Sequence, residues 1–246
     1  MSRFQGIFMN LGLGVALATG LVYSSIVVTK SMERMRSTIE VKGYAERKIK
    51  ADYVSWTIQF TARNADLAQA YKTLEIYKDE ILGFLKAGDV KDAKIDIGGV
   101  NKQTHYKGDE NGRSTSDIGS FELTQTVTIA SPDIDKIKEL ALKISALGAK
   151  GIEIEPRSPS YLIGREKLEK VKIELLAEAT KSAKERADQF TLNSGTNIGR
   201  LISARQGVFQ VTGEDSTEVD DYGTYDTSSI DKVVKIVVTL SYTTES

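Results

Sequence analysis

The stretch AEATKSAKERADQF, Ala177 to Phe190, has helical spacing, yet its recurring apolar positions Ala179, Ala183 and Ala187 hold the smallest apolar side chain. Leu168, Val171 and Leu175 lead into the same stripe and Phe190 follows it, which predicts a helix from about Gly164 to Leu192. Alanine buries less apolar area than leucine but lets two backbones come closer. The stripe therefore predicts a helix seated tightly on a sheet, with Lys181, Lys184, Glu185, Arg186 and Asp188 left in water. Asn193-Ser194-Gly195 stops the helix, and Ile198-Gly199-Arg200-Leu201-Ile202 starts a strand.

Upstream, Tyr53 to Thr61 alternates Val54, Trp56, Ile58 and Phe60 with Ser55, Thr57 and Gln59, the period of a half-buried strand. Trp56 reads as core packing. Ile39 to Ile49 is expected as its hairpin partner. Asp66 to Lys86 is expected as a helix closed by Gly88, with Leu67, Ala70, Tyr71, Leu74, Ile81 and Leu85 on one face. Lys94–Tyr106 and Ser120–Ala130 read as a long hairpin around the Asn111-Gly112 turn pair. Ser131-Pro132-Asp133 opens a second helix that Gly148 closes, and Gly151–Glu155 is a short strand. Residues 53–155 thus run β-α-β-β-α-β, the order of a split βαβ sandwich. Two closing strands are expected near Leu201–Val211 and Lys232–Thr243, joined by the acidic loop GEDSTEVDDYG. The fold class is α/β (α+β), with a mostly antiparallel sheet.

The N-terminus has a different character. From Phe4 to Thr29 no residue is charged, and Ile7 to Val28 gives 22 residues, about 33 Å as a helix. That length suits an uncleaved membrane anchor; Ala16-Leu17-Ala18 keeps a cleaved signal segment as the alternative. Gly12, Ala16 and Gly20 make a small-xxx-small stripe that random Gly/Ala content also explains. Lys30, Arg34 and Arg36 follow the span and Arg3 precedes it, so a positive-inside count alone keeps the main domain in the cytoplasm. The expected organisation is an anchor and linker over residues 1–36 and one domain over 37–246.

Composition excludes several function classes. Removing residues 1–36 takes away Arg3, Lys30, Arg34, Arg36 and Glu33, moving the formal net charge from −1 to −4. That is a poor footprint for nucleic acid, and no nucleic-acid partner is expected. The absence of cysteine excludes disulfides, thiol catalysis and Cys-based metal sites. His105 is the single histidine, read as an exposed loop residue near a hairpin tip, so no His triad or two-His metal site forms within one chain. Glu214, Asp215, Glu218, Asp220 and Asp221 lack EF-hand spacing and read as a solvated loop, with Tyr222 and Tyr225 beside them suited to a partner interface. Gly98-Gly99 lacks a following Gly-Lys-Ser/Thr and reads as a bend. Asp52, Asp96 and Asp135 show no pairing by spacing. No catalytic, cofactor-binding or metal-binding residue is assigned, and no cofactor is expected.

The run from Ala177 through Ala204 resembles the C-terminal signature of the SIMPL-domain family in Ala179, Ala183, Ala187, Gly195, Ile198 and Gly199. The family's Val-x-Gly-x-Gly-Glu strand and following Pro-Asp pair are similar to Val41-Lys42-Gly43-Tyr44-Ala45-Glu46 and Ala51-Asp52, with alanine at the second Gly and at the Pro. The resemblance spans about residues 39–243. It implies an alpha/beta envelope protein, membrane-bound or exported, with some members forming large oligomers and no defining catalytic residues. On that basis the main domain is expected outside the bacterial inner membrane, in the periplasm, held by a single span at residues 7–28. The expected function is a non-enzymatic, self-assembling scaffold that uses strand edges or the alanine-faced helix region as contacts. Two alternatives stay open: a hydrolase or ligand-binding enzyme with an unrecognised site, and an adaptor that captures a protein partner through the 107–119 hairpin.

Overall fold

The computed structural model describes residues 18–28, 38–109, 113–216 and 220–245. Most of the expected anchor and its linker lie outside the described residues. Residues 18–28 form a helix, α1, whose Leu21, Val22, Tyr23, Ile26, Val27 and Val28 are exposed. Among the described residues, no helix is long and apolar enough to cross a membrane.

The chain forms two compact units. Of the described residues, the first comprises 18–28, 38–46, 173–209 and 235–245; the second comprises 47–109, 113–172, 210–216 and 220–234. Three long elements pass through both: β1 (Thr38–Lys50), α5 (Arg165–Ser194) and β10 (Asp231–Glu245).

The second unit holds the split βαβ order. Its strands are β2 (Tyr53–Asn64), β3 (Lys94–Ile97), β4 (Asn101–Gly108), β5 (Ser114–Ser131), β6 (Glu153–Pro156) and β7 (Ser160–Leu162). The sheet runs β3-β5-β2-β6, every neighbour antiparallel, with β4 also on β5 and β7 also on β2. β2 and β5 pair without a slip from Val54↔Ser131 to Asn64↔Phe121. This register puts Val54, Trp56, Ile58 and Phe60 on one face with Leu123, Val127 and Ile129, all buried. The helices α2 (Leu67–Ala87), α3 (Ile134–Lys143) and α4 (Ser145–Gly148) supply Ala70, Leu74, Ile81, Leu85, Ile137, Leu140 and Leu147 to that core. The opposite face is polar, with Thr57–Thr128 and Thr61–Thr124 hydroxyl pairs at 3.0 and 3.2 Å. Trp56 is core, as its alternation implies, and its indole donates to the Arg157 carbonyl at 2.8 Å.

Several local expectations change. The 94–106 strand is broken at Gly98, whose N–H bonds Thr126 O at 2.9 Å and where a Cβ would sit 2.4 Å from Thr126 Oγ1. Gly88 caps α2 in right-handed backbone; the left-handed residue is Asp89 (φ 50°). A Cβ at 88 would lie 2.6 Å from Leu140 Cδ1, so a larger residue there would displace the Leu140 side chain. Most important, β1 does not form a hairpin with β2. It pairs with β10 in a sheet of order β1-β10-β8, where β8 is Asn197–Gln206; β9 (Gln210–Gly213) also pairs β10. Only Ala51 and Asp52 separate β1 from β2, and both are tied elsewhere, Ala51 N–H to Ile230 O and Asp52 N–H to Leu162 O. The buried positions of β1 are Val41, Gly43 and Ala45, too small to fill the core that β2 faces.

Candidate functional site

The first unit is organised by the alanine helix. Ala179, Ala183 and Ala187 are fully buried, and Thr191 continues their i, i+4 row. A row of this kind runs at about 26° to the helix axis, so one ridge of small residues contacts the support. The support is β1 at Gly43. A Cβ built on Gly43 would fall 1.9 Å from Ala179 O, 2.6 Å from Ala183 N and 2.7 Å from Ala183 Cβ. Strand and helix backbones therefore touch, which requires glycine on one side and alanine on the other. Arg186 Nη1 donates to Lys42 O at 2.9 Å beside this contact. Phe190 is not part of the row: it is 62% exposed, and Thr191 takes the inward place expected for it. The alanine face is thus used up inside the chain, which removes it as an intermolecular contact.

Alongside the seat, β1 and α5 border an open groove of about 720 Å³. Val41 is its buried floor, Phe190 a wall, and Glu40, Lys42, Glu185 and Arg186 stand on its rim.

The two outer strands of the β1-β10-β8 sheet differ. β1 has its Lys42 and Lys50 carbonyls occupied by the α5 side chains Arg186 and Lys167, each at 2.9 Å. β8 pairs β10 from Gln206↔Val238 to Asn197↔Glu245 with two register shifts, and its other edge has no strand partner among the described residues. Leu201 and Ile202 on β8 are each 50% exposed.

Most residues singled out by type have side-chain or backbone partners. His105 lies within β4 opposite Ser120, not in a loop. Its Nε2 is 2.8 Å from Glu122 Oε2, which also accepts from Arg63 at 2.6 Å. Arg63 first and His105 second hold the Glu122 carboxyl below the usual range. Asp52 acquires the partners its spacing hides. Its Oδ1 accepts from Gly164 N at 2.6 Å and its carboxylate pairs with Lys167 at 3.3 Å, placing negative charge at the N-terminus of α5.

The acidic loop is dispersed. Glu214 pairs with Lys48, and the Asp220 backbone and side chain hold Gln210 and Tyr222 N–H. Glu218 lies outside the described residues. Among the described residues, no group of three or more His, Cys, Asp or Glu could hold a metal ion. Tyr222 is 95% exposed, whereas the Tyr225 hydroxyl turns in to accept from Ile163 N.

The strongest polar cluster was not legible in sequence. Lys232, in β10, is 0% exposed and donates to Asp226 Oδ2 at 2.9 Å and Asp226 O at 2.6 Å. Burial raises the Asp226 pKa, but hydrogen bonds from Ser228, Ser229 and Lys232 outweigh it and hold the carboxyl well below its ordinary value. Lys232 is the second residue of a strand rich in Val and Ile, so only the spacing Asp226-x-Ser228-Ser229 hinted at a carboxylate-centred turn.

In the second unit, Tyr106 and Ile118 face each other across the β4–β5 ribbon, both about half exposed. They lie beyond a register shift in which Gly119 is the extra residue on β5. The family model described as SIMPL, protein of unknown function (DUF541), matches residues 39–241. No curated protein matches the chain.

Proposed function

The chain belongs to the SIMPL family, and we propose that it is a non-enzymatic, membrane-anchored envelope protein that assembles with copies of itself through β8. The observation that carries this reading is the bare edge of β8 with Leu201 and Ile202 half exposed on it. An apolar strand edge is a template for pairing with another chain unless something covers it. α5 occupies carbonyls of β1, and nothing among the described residues plays that part for β8. A second copy covers the edge. Anchoring rests on the uncharged run from Phe4 to Thr29, and placement in the periplasm follows the family's envelope character.

The test is the mass of the full chain in detergent by light scattering, native against Ile202→Lys. Native protein above monomer mass and a monomeric variant support assembly through β8. Equal masses sink it. External protease on cells whose outer barrier is opened tests the periplasmic placement, since digestion is expected before the inner membrane is breached.

A second reading has its own observation. The Tyr106–Ile118 pair gives the 107–119 ribbon an apolar tip suited to gripping a protein partner. Deleting residues 108–117 leaves folding intact and abolishes partner capture on this reading.

A further inference from the structure

The groove between β1 and α5 has a feature that packing does not explain. Phe190 projects from α5 at 62% exposure, one residue away from the buried row, onto a groove floored by Val41. Phe190 contributes nothing to the seat of α5 and leaves a large ring in water. Two cations stand beside it. Arg186 is held on the rim by its bond to Lys42 O, and Lys42 is itself on the rim. Glu40 and Glu185 complete the rim, which makes its formal charge zero. An aromatic ring between amphipathic, charge-balanced side chains suits the headgroup boundary of a bilayer.

Chain length says which surface is within reach. Residue 28 ends the apolar run and Thr38 begins β1, whose Glu40, Val41 and Lys42 line the groove. Ten Cα steps span at most about 36 Å. The end of β1 that carries the groove is therefore tethered close to the bilayer that would hold residues 7–28, at high effective concentration.

We propose that the β1–α5 groove rests on the surface of that bilayer, with the Phe190 ring at the boundary between headgroups and acyl chains. This rests on the anchored reading above. Because the rim is neutral, the contact forms on phosphatidylcholine alone and survives raised salt.

The chain has no cysteine, so single labels can be placed cleanly. The full chain is inserted in phosphatidylcholine nanodiscs with an environment-sensitive dye at Phe190→Cys, Val22→Cys or Val237→Cys. Val237 is 41% exposed in the same unit as the groove, on the face of β10 opposite the buried Ile236 and Val238, and serves as the reference. Quenching is read with lipids spin-labelled at a shallow acyl carbon. The proposal expects a blue-shifted, quenched dye at 190 and at 22 and none at 237, unchanged by salt. Quenching at 22 with position 190 behaving like 237 overturns the docking and leaves the anchor standing. Equal quenching at 190 and 237 overturns the groove's selectivity. No quenching at 22 removes the anchor and the docking together.

Discussion

Replacing Gly43 with alanine adds one methyl group at the point where β1 meets α5. In an ordinary strand this change gains about 0.5–1 kcal/mol, because glycine loses the most conformational freedom on folding. Here the new Cβ falls 1.9 Å from Ala179 O and 2.6 Å from Ala183 N, against a floor of 3.0 Å for real Cβ contacts. Strand or helix must move by about 1 Å, and both obstacles are backbone, so no side-chain rotation relieves them. Overpacking of this kind costs about 1–3 kcal/mol, and a rigid backbone obstacle puts the net loss near ~2–4 kcal/mol. For a chain of this size that lowers Tm by roughly 5–15 °C. The assay is thermal unfolding by circular dichroism on the full chain in detergent. A second variant sharpens it. Ala183→Gly removes the Cβ–Cβ clash at 2.7 Å but leaves both backbone clashes, so it does not rescue Gly43→Ala. A Gly43→Ala protein as stable as native, or more stable, would show that the helix does not bear on the strand, and rescue by Ala183→Gly would show that side chains alone meet there.

Three further outcomes follow from other contacts. Ala183→Leu forces a larger side chain into the same seat and lowers stability by at least about 2 kcal/mol, whereas Phe190→Ser, on the exposed side, changes stability by less than about 0.5 kcal/mol; comparable losses at both positions in denaturant titration would refute the asymmetry. Lys232→Met leaves the partly buried Asp226 without its cation and costs about 1–3 kcal/mol in urea unfolding, while the double change with Asp226→Leu costs less than the sum of the single changes; additive losses would contradict a coupled pair. The folded-state pKa of Asp226 is depressed, so its contribution is complete above the unfolded value of about 3.9 and is lost as pH falls below it. Asp226→Asn therefore loses less stability than native between neutral and acid pH, and an unchanged acid profile would remove Asp226 as a source of that loss.

What the sequence made readable depended on how locally each feature was written. β2 and β5 alternate strictly, so which of their residues face the core followed from periodicity, and the element order gave the split βαβ class, but the pairing of β2 with β5 did not follow. The α5 row was legible for the same reason, and its alanines implied a close approach before Gly43 was known to be the other side. Phe190 was misassigned because i+3 and i+4 both fit a helix face, and only the support decides between Phe190 and Thr191. β1 was misplaced because adjacency favours a hairpin, while its actual partner, β10, lies at the other end of the chain. The interleaving of two units through β1, α5 and β10 leaves no composition break to detect. At the candidate sites, residue type singled out His105 and the acidic loop; His105 bonds Glu122, which Arg63 also reaches, and Glu214 bonds Lys48, partners that no sequence spacing marks. The buried pair of Lys232 and Asp226 had no periodic mark at all. The edge position of β8 among the described residues had no mark in the sequence either, because sheet order sets it.

Assembly through β8 is the claim on which the functional reading stands. Sedimentation velocity of the full chain in detergent, run over a wide concentration range for native protein and for Ile202→Lys, addresses it most directly. A native species of discrete multiple mass that collapses to one chain in the variant is the anticipated result. A native protein that sediments as a single chain at every concentration, or a variant that assembles as the native protein does, contradicts it.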